Sequence, residues 1–345
     1  MSGGVDSSVA AALMLESGYE GVGITMKLHP ESKEIYGEKC GSPQDAADAA
    51  AVARRLGMAF EAVDCSDEFV RTVVEPFVRS YEAGQTPNPC IECNRHMKFG
   101  RLYQRVKELG CDKVVTGHYA RVTFDGERYL LQRAKDKRKD QSYVLYFLSQ
   151  EQLAHTCFPL GEIESKEQVR ALAAERGFDN ALRPDSQDIC FVPDGAYADF
   201  ISRYTGKDYP EGDFVDLEGN VLGRHKGLIG YTVGQRRGLG LALPQPGYVI
   251  EKNLQKNEIV VAPREALLIE RICVGEVNWI AIQPPVSALR AEVVTRYQAP
   301  PVQATLIPES DGITVLFDTP QKRPAAGQSA VFYDGDTVLG GGIIK

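Results

Sequence analysis

The apolar residues of this chain keep two different periods, and the change between them limits what the chain can fold into. In the first half, Val22 to Met26, Ala59 to Val63 and Lys113 to Thr116 read as short buried strands. Helical patterns lie between them, and this alternation implies a mostly parallel sheet covered on both faces. The first helix is expected over Ser7 to Leu15, with Asp6 or Ser7 as its cap and Gly18 as its stop. Ser42-Pro43-Gln44-Asp45 opens the second, with a serine cap, proline in the first turn and an acid three residues on. That helix is expected to run to Gly57. Ser66 is expected to cap a third, whose apolar face is Phe69, Val70, Val73, Val74 and Phe77. A fourth runs from near Asn94 to Gly110. From about residue 196 the pattern changes. Glycine is dense between 223 and 247, and after 270 short alternating runs follow at 291–297, 302–307, 313–317, 329–333 and 337–344. Asp311-Gly312 and Asp334-Gly335 are hairpin signals between those runs. The expected architecture is α/β. An N-terminal doubly wound parallel sheet occupies 1–195, a small Gly-rich central domain 196–265 and a C-terminal β-barrel 266–345.

Composition narrows the class. The chain has 345 residues, 43% hydrophobic and 25% charged, which is ordinary for a folded protein of two or three domains. No run approaches the ~18 apolar residues of a membrane span, and MSGGVDSSVA has no basic segment ahead of its apolar stretch. A cytoplasmic protein without a membrane partner is the expectation. The net charge of -8 excludes a generally basic nucleic-acid coat but leaves room for local basic patches. Eight cysteines stand at 40, 65, 90, 93, 111, 157, 190 and 273, and only Cys90 and Cys93 form a C-x-x-C pair. In a reducing compartment such a pair reads as metal-binding or catalytic.

The segment Ser2-Gly3-Gly4-Val5-Asp6-Ser7-Ser8 carries the most chemistry. Its glycines let backbone approach a ligand, and its hydroxyls and the following helix N-terminus supply donors for an anion. It is not a G-x-x-x-x-G-K-[ST] loop. S-G-G-x-D-S resembles the pyrophosphate loop of the ATP pyrophosphatase superfamily. The resemblance implies cleavage of ATP between its α- and β-phosphates, with Asp6 helping to hold Mg²⁺. Such a loop follows a strand, and here only Met1 precedes it. A start of the natural chain upstream of Met1 is therefore expected, since a missing central strand would leave two edges unpaired.

Thr86-Pro87-Asn88-Pro89-Cys90-Ile91-Glu92-Cys93-Asn94 is the second constellation. With Asn94 as the cap of the following helix, Cys93 would sit just before a helix N-terminus, where the dipole favours thiolate. The third is Asp185-Ser186-Gln187-Asp188-Ile189-Cys190-Phe191, in which Cys190 by itself reads equally well as a small buried hydrophobe.

Together with MKFG, TGHYARV, KDQSYVLY, GLIGYTVGQRRGLG, TRYQ and GQSAVFYDGDTVLGGGII, these motifs resemble the tRNA-specific 2-thiouridylases over nearly the whole chain. The resemblance implies an adenine-nucleotide α-hydrolase-like N-terminal domain. It also implies a tRNA-uridine 2-sulfurtransferase acting on the wobble uridine of Lys, Glu and Gln tRNAs. ATP adenylates the uridine 2-oxygen, pyrophosphate leaves, and sulfur replaces the activated oxygen with release of AMP. The residue matching Cys190 carries a persulfide, and the residue matching Cys93 resolves it to a disulfide or frees sulfide. The sulfur comes from a cysteine desulfurase, a sulfur-relay protein or free sulfide. By the same resemblance ATP contacts fall on Met1, Ser2, Gly3, Gly4, Val5, Asp6, Ser7, Met26 and Gly117. Contacts to tRNA fall on Asn88, Pro89, Cys90, Lys139, Asp140, Gln141, Arg296 and Tyr297. Cys90 departs from the family, where an acid often stands. Three thiolates, Cys90, Cys93 and Cys190, suggest a 4Fe-4S cluster with one open iron as an alternative carrier. Zinc on Cys90, Cys93, His96 and Cys190 is a third expectation.

Residues 133–141 hold five basic and two acidic side chains and read as a phosphate contact, with Arg224, His225, Lys226, Arg236 and Arg237 as a second basic set. Two other classes remain: a non-catalytic tRNA- or metal-binding protein, and another pyrophosphate-loop enzyme. The intact SGGVDSS with Cys93 and Cys190 argues against the first, and the idle cysteines against the second.

Overall fold

The computed structural model describes residues 1–29, 41–181, 189–193 and 196–345. Cys40 and the Asp185-Ser186-Gln187-Asp188 part of the third motif lie outside the described residues.

The N-terminal α/β unit is built on parallel pairing. β1 (Val22–Lys27) runs parallel to β2 (Ala59–Asp64), in register from Val22 against Ala59 to Lys27 against Asp64. β3 (Val114–Val115) runs parallel to β6 (Thr156–Cys157). Met1 lies along β1: its amine donates to the Ile24 carbonyl, and the Thr25 hydroxyl donates to its carbonyl at 2.6 Å. The first helix spans Val5–Glu16 and is capped by the backbone of Gly4, with no side-chain cap. It thus starts ahead of the expected Asp6 or Ser7 cap, because glycine tolerates the turn and the Ser7 hydroxyl turns back to donate to the Gly4 carbonyl at 3.0 Å. The second helix, Pro43–Arg55, has the anticipated start: Ser42 and Asp45 form a complete capping box.

Two helices depart from expectation. Ser66 is the first helical residue rather than a cap, with its amide and hydroxyl both donated to the Asp64 carboxylate. Val70–Val74 then winds as a π-helix before the α-helix Glu75–Glu82. The helix expected from Asn94 begins instead at Pro89, with Asn88 as its cap: the Asn88 side chain accepts from the Cys90 amide at 3.1 Å. Cys93–Arg101 continues it as a π-helix and Leu102–Glu108 as an α-helix. Apolar spacing alone carries no trace of such a widening.

The central part has a four-stranded sheet of β7 (Gly212–Val215), β8 (Val221–His225), β9 (Tyr248–Asn253) and β10 (Glu258–Ala262) in the order β8-β7-β10-β9, preceded by the helix Tyr197–Thr205. The C-terminal part is a closed barrel of six antiparallel strands. They are β11 (Leu268–Trp279), β12 (Leu289–Val294), β13 (Val302–Glu309), β14 (Gly312–Lys322), β15 (Ser329–Asp334) and β16 (Thr337–Ile344). The order is β11-β14-β13-β12-β15-β16, and β16 closes back on β11. Both hairpin signals are turns. Glu309 pairs with Gly312, and Asp334 pairs with Thr337.

The barrel does not stand apart. The hairpin of β4 (Ala120–Phe124) and β5 (Tyr129–Arg133) joins its sheet through Thr337 and Gln132. One apolar core contains Ile91, Phe99 and Tyr143 to Leu148 of the α/β unit together with Ile280, Val294, Val331, Tyr333 and Val338 of the barrel. The KDQSYVLY motif is the seam: Tyr143 donates to the Ser329 carbonyl at 2.8 Å, and Asn278 donates to the carbonyls of Tyr146 and Leu148 at 2.7 and 3.2 Å.

Candidate functional site

The Gly-rich loop packs closely against neighbouring protein backbone. Gly3 has φ of +70°, and a Cβ there would lie 2.7 Å from the Asp45 carbonyl oxygen. Asn180, buried, donates to the Gly3 carbonyl at 2.8 Å and to the Ser8 hydroxyl at 3.0 Å. The Ser2 amide donates to the Ser7 hydroxyl at 3.1 Å. Gly117 closes the loop from the other side: a Cβ there would lie 2.7 Å from both the Asp6 carbonyl carbon and the Ser7 nitrogen. The first-turn amides of Val5–Glu16 lie at a helix N-terminus, where backbone donors favour an anion.

Asp6 is engaged inside the protein. Its two carboxylate oxygens lie 2.6 and 2.7 Å from the Lys166 ammonium, and the Tyr119 hydroxyl donates to one of them at 2.7 Å. Both carboxylate oxygens of the residue expected to ligate Mg²⁺ thus face the Lys166 ammonium. Sequence reasoning missed Lys166, Tyr119 and Asn180. The signal for Lys166 was present: it is the first residue of the helix Lys166–Glu175, where a cation opposes the dipole and calls for a compensating anion. Beside the loop, buried His118 is flanked by the Thr116 hydroxyl at 2.7 Å from Nδ1 and the Lys98 ammonium at 3.4 Å from Nε2. Burial first, and then the Lys98 charge, hold the His118 pKa well below its usual value.

Cys93 and Cys190 come together on one apolar cluster. Both pack, partly buried, against the group that contains Leu28, Phe69, Phe77, Met97 and Phe191, and Met26 at the end of β1 packs against the same group. The structure thereby links an expected ATP contact to both expected catalytic cysteines. It also shifts the dipole argument. Cys93 lies within the helical run, whereas Cys90, exposed, occupies the first turn after the Asn88 cap. Among the described residues no three His, Cys, Asp or Glu side chains gather closely enough to hold a metal ion. The expected zinc set of Cys90, Cys93, His96 and Cys190 is therefore not gathered. His96 lies instead 3.2 Å from the Glu92 carboxylate.

The expected tRNA contacts fall into two kinds. Tyr297, Asp140 and Cys90 lie within electrostatic reach of one another. Burial first, then the Asp140 and Cys90 charges, push the Tyr297 hydroxyl pKa up. Arg296 beside it is exposed. Asp140 itself is buried, accepting from the Ala134 amide at 3.0 Å and from the Ser142 hydroxyl at 2.8 Å, and burial raises its pKa. Gln141 accepts from the Tyr119 amide at 3.0 Å. The basic run is largely balanced: Arg133 pairs with Asp140 at 3.6 Å, Lys135 with Glu162 at 2.9 Å, Lys137 with Asp336, and Arg138 with Asp136 at 3.1 Å. In the second basic set His225 is fully buried, accepting from the Gly227 amide at 3.1 Å, and Arg224 pairs with Asp213 at 3.0 Å. Lys226, Arg236 and Arg237 remain exposed.

Comparison with known proteins follows the same divisions. Residues 1–194 match the family model described as tRNA methyl transferase HUP domain, 198–263 the tRNA methyl transferase PRC-barrel domain and 269–344 the Aminomethyltransferase beta-barrel domain. The chain is 44% identical to the tRNA-specific 2-thiouridylase MnmA of Acetivibrio thermocellus, over 100% of this chain and 98% of that protein. It is 44% identical to the protein of the same name in Clostridioides difficile, over 100% of this chain and 96% of that one. For the Heliobacterium modesticaldum protein of that name the identity is 46%, over 100% and 91%. Among the described residues no helix is long and apolar enough to cross a membrane.

Proposed function

This chain belongs to the tRNA-specific 2-thiouridylase family, and on that premise we propose that it is an ATP-dependent tRNA-uridine 2-sulfurtransferase. The observation that supports this most is the one apolar cluster against which Met26, Cys93 and Cys190 all pack. A methyl transfer, which the descriptions of two matched domains name, would leave that cysteine pair idle.

In this reading ATP lies over Met1 to Ser7, with Met26 and Gly117 against its adenosine half, and magnesium enters as part of the Mg-ATP substrate. The uridine 2-oxygen attacks the α-phosphate and pyrophosphate leaves. C2 becomes electrophilic because its oxygen is now an adenylate leaving group. Cys190, charged as a persulfide by a donor such as a cysteine desulfurase or sulfur-relay protein, attacks C2 through its terminal sulfur and AMP departs. The Cys93 thiolate then attacks the inner sulfur of Cys190. The S–S bond breaks, its electron pair stays on the sulfur bound to C2, and a Cys93–Cys190 disulfide remains for an external thiol to reduce. Asn88, Pro89 and Cys90 border the target base, while Arg296, Tyr297 and Lys139 face the tRNA. Asp140 and Gln141 act through the loop they hold. No step is assigned to a 4Fe-4S cluster.

The test is incubation of unmodified Lys-type tRNA with the protein, Mg-ATP and a persulfide donor, followed by nucleoside mass spectrometry. Appearance of 2-thiouridine that depends on ATP and on Cys190 is expected. Pyrophosphate release without 2-thiouridine under these conditions would overturn the sulfur-transfer reading.

A further inference from the structure

Lys166 is only 6% exposed, and a buried ammonium persists only where it is paired. Its pairing is to Asp6, at 2.6 and 2.7 Å, within the Gly-rich loop itself. Tyr119 completes the arrangement, with its hydroxyl on Asp6 at 2.7 Å and its ring 5.7 Å from the ammonium. The three residues come from separate elements: the first helix, the segment after β3, and the helix Lys166–Glu175. Asp6 in the first turn of its helix is favoured by the helix dipole, but on the ATP reading it belongs to the loop that receives several phosphate charges. Left uncompensated there, a carboxylate would repel a polyphosphate in a medium that screens weakly.

We propose that Lys166 is a positioning residue of the phosphate loop, acting through Asp6. It cancels the carboxylate charge and, with Tyr119, fixes Asp6 so that the loop presents amides and hydroxyls, and no net negative charge, to the phosphates. This rests on the reading of the loop as the ATP site. It assigns Asp6 an internal partner in place of a divalent ion.

The experiment titrates the full chain with ATP whose α,β-bridging oxygen is replaced by methylene, in magnesium and again in EDTA, by calorimetry. It measures tRNA affinity in parallel by filter binding. Lys166→Met is expected to weaken nucleotide binding about tenfold or more while tRNA affinity holds, whereas general structural damage would lower both. Lys166→Arg retains the charge and is expected to recover most of the affinity. Asp6→Asn combined with Lys166→Met removes both charges and is expected to bind within about fivefold of wild type. Lys166→Met binding within twofold of wild type overturns the inference and leaves the ATP reading intact. A double variant as weak as Lys166→Met overturns charge cancellation. If Lys166→Met fails to fold, the double variant, which buries no charge, decides alone by the same criterion. Wild-type protein that binds no nucleotide removes the ATP reading, and this inference with it.

Discussion

Gly117→Ala probes the contact that closes the phosphate loop. The added methyl would lie 2.7 Å from the Asp6 carbonyl carbon, 2.7 Å from the Ser7 nitrogen and 2.9 Å from the Asp6 Cβ, where ordinary contact begins near 3.4 Å. The loop must retreat by about 0.7 Å. It has little freedom to do so, because Asp6 is held behind by Lys166 and Tyr119, and Ser8 and Gly3 are held by Asn180. Overpacking of this kind costs about 1–3 kcal/mol of stability. A shift approaching 1 Å at a positioning element lowers rate by about a hundredfold. The assay pairs thermal denaturation, with and without ATP, with tRNA-dependent pyrophosphate release. Expected are a lower melting temperature, little further stabilisation by ATP and a strong loss of pyrophosphate release. A Gly117→Ala protein that melts and turns over like wild type would refute the close approach and the placement of ATP on this loop.

Cys190→Ala is expected to abolish 2-thiouridine while tRNA-dependent pyrophosphate release continues, as measured on the same reaction by nucleoside mass spectrometry and a phosphate assay. Phe69→Ala empties a fully buried site in the cluster under both cysteines, and about 3–5 kcal/mol of stability is expected to be lost in urea titration, together with slower formation of a Cys93–Cys190 disulfide. His118 is neutral in the folded protein and protonates near pH 6.5 when unfolded, so its contribution is present above that pH. Stability should therefore fall as pH drops below about 6.5, by up to ~1.4 kcal/mol per unit from this one group, and His118→Gln should flatten that slope in urea titrations between pH 7 and 5. Arg236→Gln with Arg237→Gln is expected to reduce the salt dependence of tRNA binding by about 1.5 in the log-log slope, read by filter binding.

The parts of the fold written in local patterns were legible from the sequence. The Ser42–Asp45 capping box and the Asp311 and Asp334 hairpins depend on neighbours a few residues apart, and the strands β1 and β2 each on its own short apolar run. The twelve-residue strand β11 was not read, because its burial does not alternate cleanly and its pairing shifts register against both β14 and β16. The start of the Cys90 helix was misplaced because Pro89 serves as a first-turn residue behind the Asn88 cap. Individual site residues were recognisable as motif members, yet their partners were not. The Lys166 to Asp6 pair spans 160 residues and leaves no mark in either local pattern beyond an ill-placed cation. The basic run at 133–141 looked like a phosphate patch because two of its counter-charges, Glu162 and Asp336, lie elsewhere in the chain. His225 looked like part of a charged surface but is a buried, neutral hydrogen-bonding group between Gly227 and Asn257.

In the proposed reaction one loop activates a uridine oxygen and two cysteines replace it with sulfur. The most direct test is nucleoside mass spectrometry of unmodified Lys-type tRNA after reaction with wild-type, Cys93→Ala and Cys190→Ala protein, with Mg-ATP and a ³⁴S-labelled persulfide donor. Wild type is expected to yield labelled 2-thiouridine with one AMP formed per sulfur inserted, and Cys190→Ala none. Labelled 2-thiouridine from Cys190→Ala at the wild-type rate, or sulfur insertion without ATP, would contradict the proposed reaction.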